Sequence, residues 1–96
     1  MKINNKDRII RLDTNAFTNL DDESIVLNLS ENTYHSLNLS GSIIWNKITS
    51  QGISYEDLIK ELNLIFDNLN DSDIESINFY ICELIEAGLV KKESLL

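Results

Sequence analysis

The sequence predicts an α+β fold: a three-stranded antiparallel sheet followed by three helices. Two observations carry this. Apolar residues alternate with period two in the first third of the chain and recur with helical spacing through the rest. Strand-type and helix-type segments are segregated rather than interleaved, which separates α+β from an alternating α/β chain. The 96 residues fit one domain, with a core expected over about residues 8–92.

Taken in order, Ile9, Ile10 and Leu12 form a short apolar stretch framed by Arg8 and Arg11, read as the first strand. Asp13 to Glu23 is polar and turn-prone around Phe17 and Leu20. Ile25, Leu27 and Leu29 then alternate with Val26 and Asn28 as a half-buried strand. Ser30, Glu31 and Asn32 suit a hairpin turn, because Asn tolerates the left-handed backbone. Thr33 to Leu37 is the returning strand.

Ser40 is the expected N-cap of a first helix carrying Ile43, Ile44, Trp45 and Ile48. Ser54 with Asp57 three residues on marks the second, with Leu58, Ile59, Leu62, Ile65 and Phe66 on one face. Ser72 with Glu75 is the capping box expected for the third, whose stripe is Ile74, Ile77, Ile81, Leu84 and Ile85. Gly88 stands where a left-handed cap ends that helix, and Leu89 and Val90 are free to fold back onto the core.

Charge narrows the function classes. The formal net charge is −8, and it is unevenly spread: from Asp13 to Val90 only Lys47 and Lys60 stand against fourteen acids. Such a body repels phosphate backbones and anionic membranes. The second and third helices carry Lys60 alone before Lys91, so neither has the cations a DNA-reading helix needs. There is no long apolar run for a membrane span or signal peptide. One cysteine, Cys82, excludes an intrachain disulfide and suits a reducing compartment, so the cytoplasm is the expected location.

Catalytic chemistry finds no footing. Asp21, Asp22 and Glu23 fall in a turn, and Glu56, Asp57 and Glu61 on the polar side of a helix; both read as solvated faces. His35 is the only histidine, and no HExxH, CxxC, GxSxG or Gly-rich phosphate loop exists. No enzyme, cofactor or metal is expected. Cys82 reads as a passive thiol and Trp45 as a core anchor.

The ordered set of segments resembles the PqqD-like family. It comprises Ile25-Val26-Leu27-Asn28-Leu29, a turn, Thr33-Tyr34-His35-Ser36-Leu37-Asn38, Ser40-Gly41 and Ile44-Trp45. The end is similar too, with Ile77, Tyr80, Ile81, Leu84 and Gly88-Leu89-Val90. The resemblance implies a winged-helix-like fold acting as a RiPP recognition element. Such domains bind the leader segment of a ribosomally made precursor peptide and present it to a modifying enzyme such as a radical SAM protein or a leader peptidase. Stand-alone relatives occur in pyrroloquinoline quinone, lasso-peptide and thioether-peptide pathways. It further implies that the leader adds as a strand beside the third strand, against the third helix.

The residues agree on one point. The first strand is flanked by Lys6, Arg8 and Arg11, which discourage edge pairing, whereas Thr33 to Leu37 holds no charge and no proline. The expected docking edge is therefore Thr33, Tyr34, His35, Ser36 and Leu37, with Ile74, Ile77, Asn78 and Ile81 as the groove wall. Proline at His35 is expected to weaken binding by removing an edge donor. The competing reading is an interaction or dimerisation module in which the same edge pairs with itself.

Overall fold

A computed structural model describes residues 2–94. It has three helices and a three-stranded antiparallel sheet, as expected, together with a second sheet that the sequence did not announce. The strands are β1 (Arg8–Arg11), β2 (Asn15–Asn19), β3 (Ser24–Asn28), β4 (Thr33–Leu37), β5 (Ile53–Ser54) and β6 (Val90–Glu93). The helices are α1 (Leu39–Lys47), α2 (Tyr55–Phe66) and α3 (Asp71–Glu86). One sheet has the order β2-β3-β4, the other β5-β1-β6, and every pairing is antiparallel.

This corrects the expected meander. The Ile9 segment does not pair with β3; its partners are β5 and β6, so strands also lie between and after the helices. The third strand of the meander is β2, in the stretch read as a turn. Its asparagines are the reason for both the misreading and the strand. Asn15 Nδ2 donates to the Leu89 carbonyl at 3.0 Å, and Asn19 Oδ1 accepts from Ser24 Oγ at 2.6 Å. Between them Phe17 meets Trp45 edge-on, with ring centroids 5.7 Å apart. Polar residues that usually favour turns here satisfy backbone and side-chain groups on the sheet's inner face.

Arg11 joins the two sheets to α1. Its guanidinium lies 4.5 Å from the Phe17 ring centre and 4.6 Å from that of Trp45, and Nη2 donates to the Trp45 carbonyl at 2.8 Å. The core gathers around Trp45, Ile9, Ile48, Leu58, Leu62, Ile81 and Leu89, all fully buried.

Two helix starts differ from expectation. Asn38, not Ser40, caps α1, its side chain accepting from the Gly41 N–H at 2.8 Å. Asn70 and Asp73, not Ser72 and Glu75, form the capping box of α3. Ser54 caps α2 and accepts from the Asp57 N–H, as its spacing suggested. The end of α3 is a complete Schellman motif. The Leu89 N–H bonds the Leu84 carbonyl, the Gly88 N–H bonds the Ile85 carbonyl, and Gly88 has φ +75°. That turn sends the chain directly into β6.

Candidate peptide-binding site

The site is an open sheet edge facing a helix. β4 pairs with β3 on one side only, and its other side carries no strand among the described residues. Which of its backbone groups face outward follows from the register. Outside the strands proper, the Leu20 N–H bonds the Glu23 carbonyl and the Leu29 N–H bonds the Thr14 carbonyl. Both pairs continue the β2–β3 register. Hydrogen-bonded pairs alternate along an antiparallel ladder, so Ile25 and Leu27 direct their backbone groups to β2, and Ser24, Val26 and Asn28 direct theirs to β4. Their partners are Leu37, His35 and Thr33. The N–H and C=O groups of Thr33, His35 and Leu37 are therefore spent on β3, and those of Tyr34 and Ser36 point to the open edge.

This separates the five edge residues into two roles. Tyr34 and Ser36 offer main-chain hydrogen bonds, while their side chains lie on the exposed outer face of the sheet; Tyr34 is 73% exposed. Thr33, His35 and Leu37 share the inner face with the buried Ser24, Val26 and Asn28; Leu37 is buried, His35 half-buried and Thr33 exposed. The expectation that His35 supplies an edge donor is thereby corrected: its N–H belongs to the β3 ladder.

Opposite the edge, α3 and its C-cap present Tyr80, Glu83, Leu84 and Ala87, at i, i+3, i+4 and i+7 on one stripe. Between strand and helix lies an open hollow of about 620 Å³, with Ala87 and the edges of Leu37 and Leu84 supplying apolar surface above the fully buried Leu89. A second hollow continues it past His35 and Ala87 toward Thr33, Glu31 and Gly88. A third extends it at the other end, past Tyr80 to Gly41, Ile44 and Ile77. Shared residues make these one trough along β4 and α3.

The wall is thus not the expected one. Ile81 is fully buried in the core and cannot face a ligand. Asn78 turns toward α2, where its Nδ2 donates to Tyr55 Oη at 3.3 Å. Ile74 is half-buried and lines none of the three hollows. Ile77 alone reaches the trough, although it is only 7% exposed. Hydrophobic periodicity picks out the stripe that fills the core, and the groove wall is the neighbouring stripe, which mixes aromatic, acidic and small residues.

Gly41 leaves room for the Tyr80 side chain at the third hollow. A Cβ there would lie 2.6 Å from the Tyr80 hydroxyl oxygen. Burial, and then the Glu83 charge, push the Tyr80 hydroxyl up to about 12, so it stays protonated.

The trough is acidic at its rim. Glu31, Glu83 and Glu86 line it, with no Lys or Arg among the lining residues. The ion pairs among the described residues join Lys6 to Glu56, Lys47 to Glu61, Lys91 to Glu93 and Lys92 to Asp7, and so leave these three carboxylates uncompensated. Among the described residues no group of His, Cys, Asp and Glu is arranged to hold a metal ion, and no helix is long and apolar enough to cross a membrane.

The chain thus has an α+β fold with an unpaired strand edge beside a helix-lined trough, and a solved structure shares that fold. The particular likeness is to the solved structure of TbiB1 in complex with the TbiA(beta) leader peptide. The TM-score is 0.74 at 21% identity, covering 85% of this chain and 94% of that one. No protein-family model matches the chain, and neither does any curated protein.

Proposed function

We propose that this protein is a non-catalytic binder of the leader segment of a ribosomally synthesised precursor peptide. The leader adds as a strand along β4, and the domain presents the precursor to a modifying enzyme, a radical SAM maturase or a leader peptidase. The observation that carries the reading is the outward backbone of Tyr34 and Ser36 above a trough walled by Tyr80, Leu84 and Ala87. Main-chain bonds to such an edge supply affinity, and side-chain hollows beside it supply specificity. The shared fold with a protein whose structure holds a leader peptide supports the same reading. The lone Cys82 fits work in the cytoplasm.

The uncharged edge also suits self-pairing into a dimer, so the test measures both. Sedimentation across a concentration series should show a monomer without peptide. A synthetic leader, taken from a short precursor reading frame beside this one, should bind with Kd around micromolar, about −8 kcal/mol. A tight dimer that ignores the leader contradicts the proposal.

A further inference from the structure

We infer that the trough selects an extended peptide with basic side chains at two alternate positions, one lying against Glu83 and the other against Glu86. This rests on strand addition at β4 and deepens it by naming the chemistry of the strand.

The geometry sets the spacing. A strand added to Tyr34 and Ser36 points alternate side chains to the inner face, where Thr33, His35 and Leu37 already point. Those inward side chains meet α3. Positions i and i+2 of a strand are about 7 Å apart. Glu83 and Glu86 stand three residues apart on α3, about 4.5 Å along its axis, with both side chains exposed on the trough. Two long, flexible cationic side chains at i and i+2 therefore reach both carboxylates. Their methylene stems lie over Leu84 and Ala87, which suits Lys and Arg better than a short polar residue.

Charge gives the same answer by exclusion. No cation lines the trough, and none of the described ion pairs neutralises Glu31, Glu83 or Glu86. An acidic strand entering here meets like charge at Glu31, Glu83 and Glu86, which is how an interface rejects wrong partners.

The test uses three capped octapeptides alternating valine with lysine, glutamine or glutamate, titrated into the ¹⁵N-labelled protein at low salt. The Tyr34 and Ser36 amide shifts report edge occupancy. The lysine peptide should bind about fivefold more tightly than the glutamine peptide, the yield of two exposed charge pairs, and the glutamate peptide more weakly still. The double variant E83Q/E86Q, or salt at about 0.5 M, should erase the preference. Equal binding of the lysine and glutamine peptides, with both amides shifting, overturns the charge inference and leaves strand addition standing. Lysine-peptide binding that moves neither amide overturns strand addition, and this inference with it. A lysine peptide that fails to bind at millimolar concentration overturns the charge inference alone, strand addition being read from the leader.

Discussion

Proline placed at adjacent positions of β4 should have opposite consequences. In Ser36→Pro the lost N–H is one that points to the open edge, and proline is tolerated on an edge strand when its nitrogen faces outward. The fold should survive, with a thermal midpoint close to that of the parent. Leader binding should weaken, because the added strand loses a main-chain donor. One net hydrogen bond contributes about 1 kcal/mol, or about fivefold in Kd, and a bound carbonyl left without a partner raises the loss toward about 3 kcal/mol. In His35→Pro the lost N–H bonds Val26 in the β3–β4 ladder. Val26 is fully buried, so the orphaned backbone group cannot turn to water, and about 1–3 kcal/mol of folding stability should go. Thermal melts and fluorescence anisotropy with a labelled leader measure both quantities for both variants. If Ser36→Pro unfolds while His35→Pro melts normally and binds less, the assignment of outward groups is reversed and the reasoning fails.

Two further outcomes follow from the same structure. Asn28→Ala removes the bond from Nδ2 to the Ala87 carbonyl, 2.9 Å, and the Oδ1 acceptor of the Ser30 and Glu31 amides. Urea unfolding should show a loss of about 1–3 kcal/mol, and an unchanged midpoint would mean that Asn28 does not dock the sheet onto the end of α3. The Asn4 backbone N–H, and secondarily Lys92, hold the Asp7 carboxyl below the ordinary carboxylate range. A carboxylate depressed in the folded state contributes stability that is full above the unfolded value and is lost as pH falls through the folded one. Asp7→Asn should therefore flatten the acid side of the stability profile below about pH 4, where the unfolded carboxylate titrates; a profile identical to the parent's would show that Asp7 is not coupled to folding.

Much of this fold is legible in the residues, for identifiable reasons. The alternation from Ile25 to Leu29 and the Ser54 cap are local signals, and β3 and α2 stand where those signals place them, but the buried face of β3 is the opposite one: Ser24, Val26 and Asn28 are buried, and Leu27 and Leu29 are exposed. β2 was not legible because two of its three inward positions, Asn15 and Asn19, are asparagines, whose partners at Leu89 and Ser24 exist only once the chain has folded. The membership of β1 was illegible for a related reason. An apolar triplet does not say which strand it will meet, and its partners lie some 40 and 80 residues away in sequence. At the site, the strand Thr33 to Leu37 was visible as an uncharged edge, but the division into Tyr34 and Ser36 against Thr33, His35 and Leu37 depends on a register no single-chain pattern carries. The groove wall was missed because apolar spacing along α3 reports what the core needs, whereas Tyr80, Glu83 and Ala87 carry no apolar period of their own.

The central claim is that a peptide strand occupies the open edge of β4, and amide hydrogen exchange tests it residue by residue. In the free protein the amides of His35 and Leu37 should exchange slowly and those of Tyr34 and Ser36 quickly. On addition of leader peptide, Tyr34 and Ser36 should become protected while His35 and Leu37 change little. Tyr34 and Ser36 amides that stay fast at saturating peptide would contradict strand addition outright.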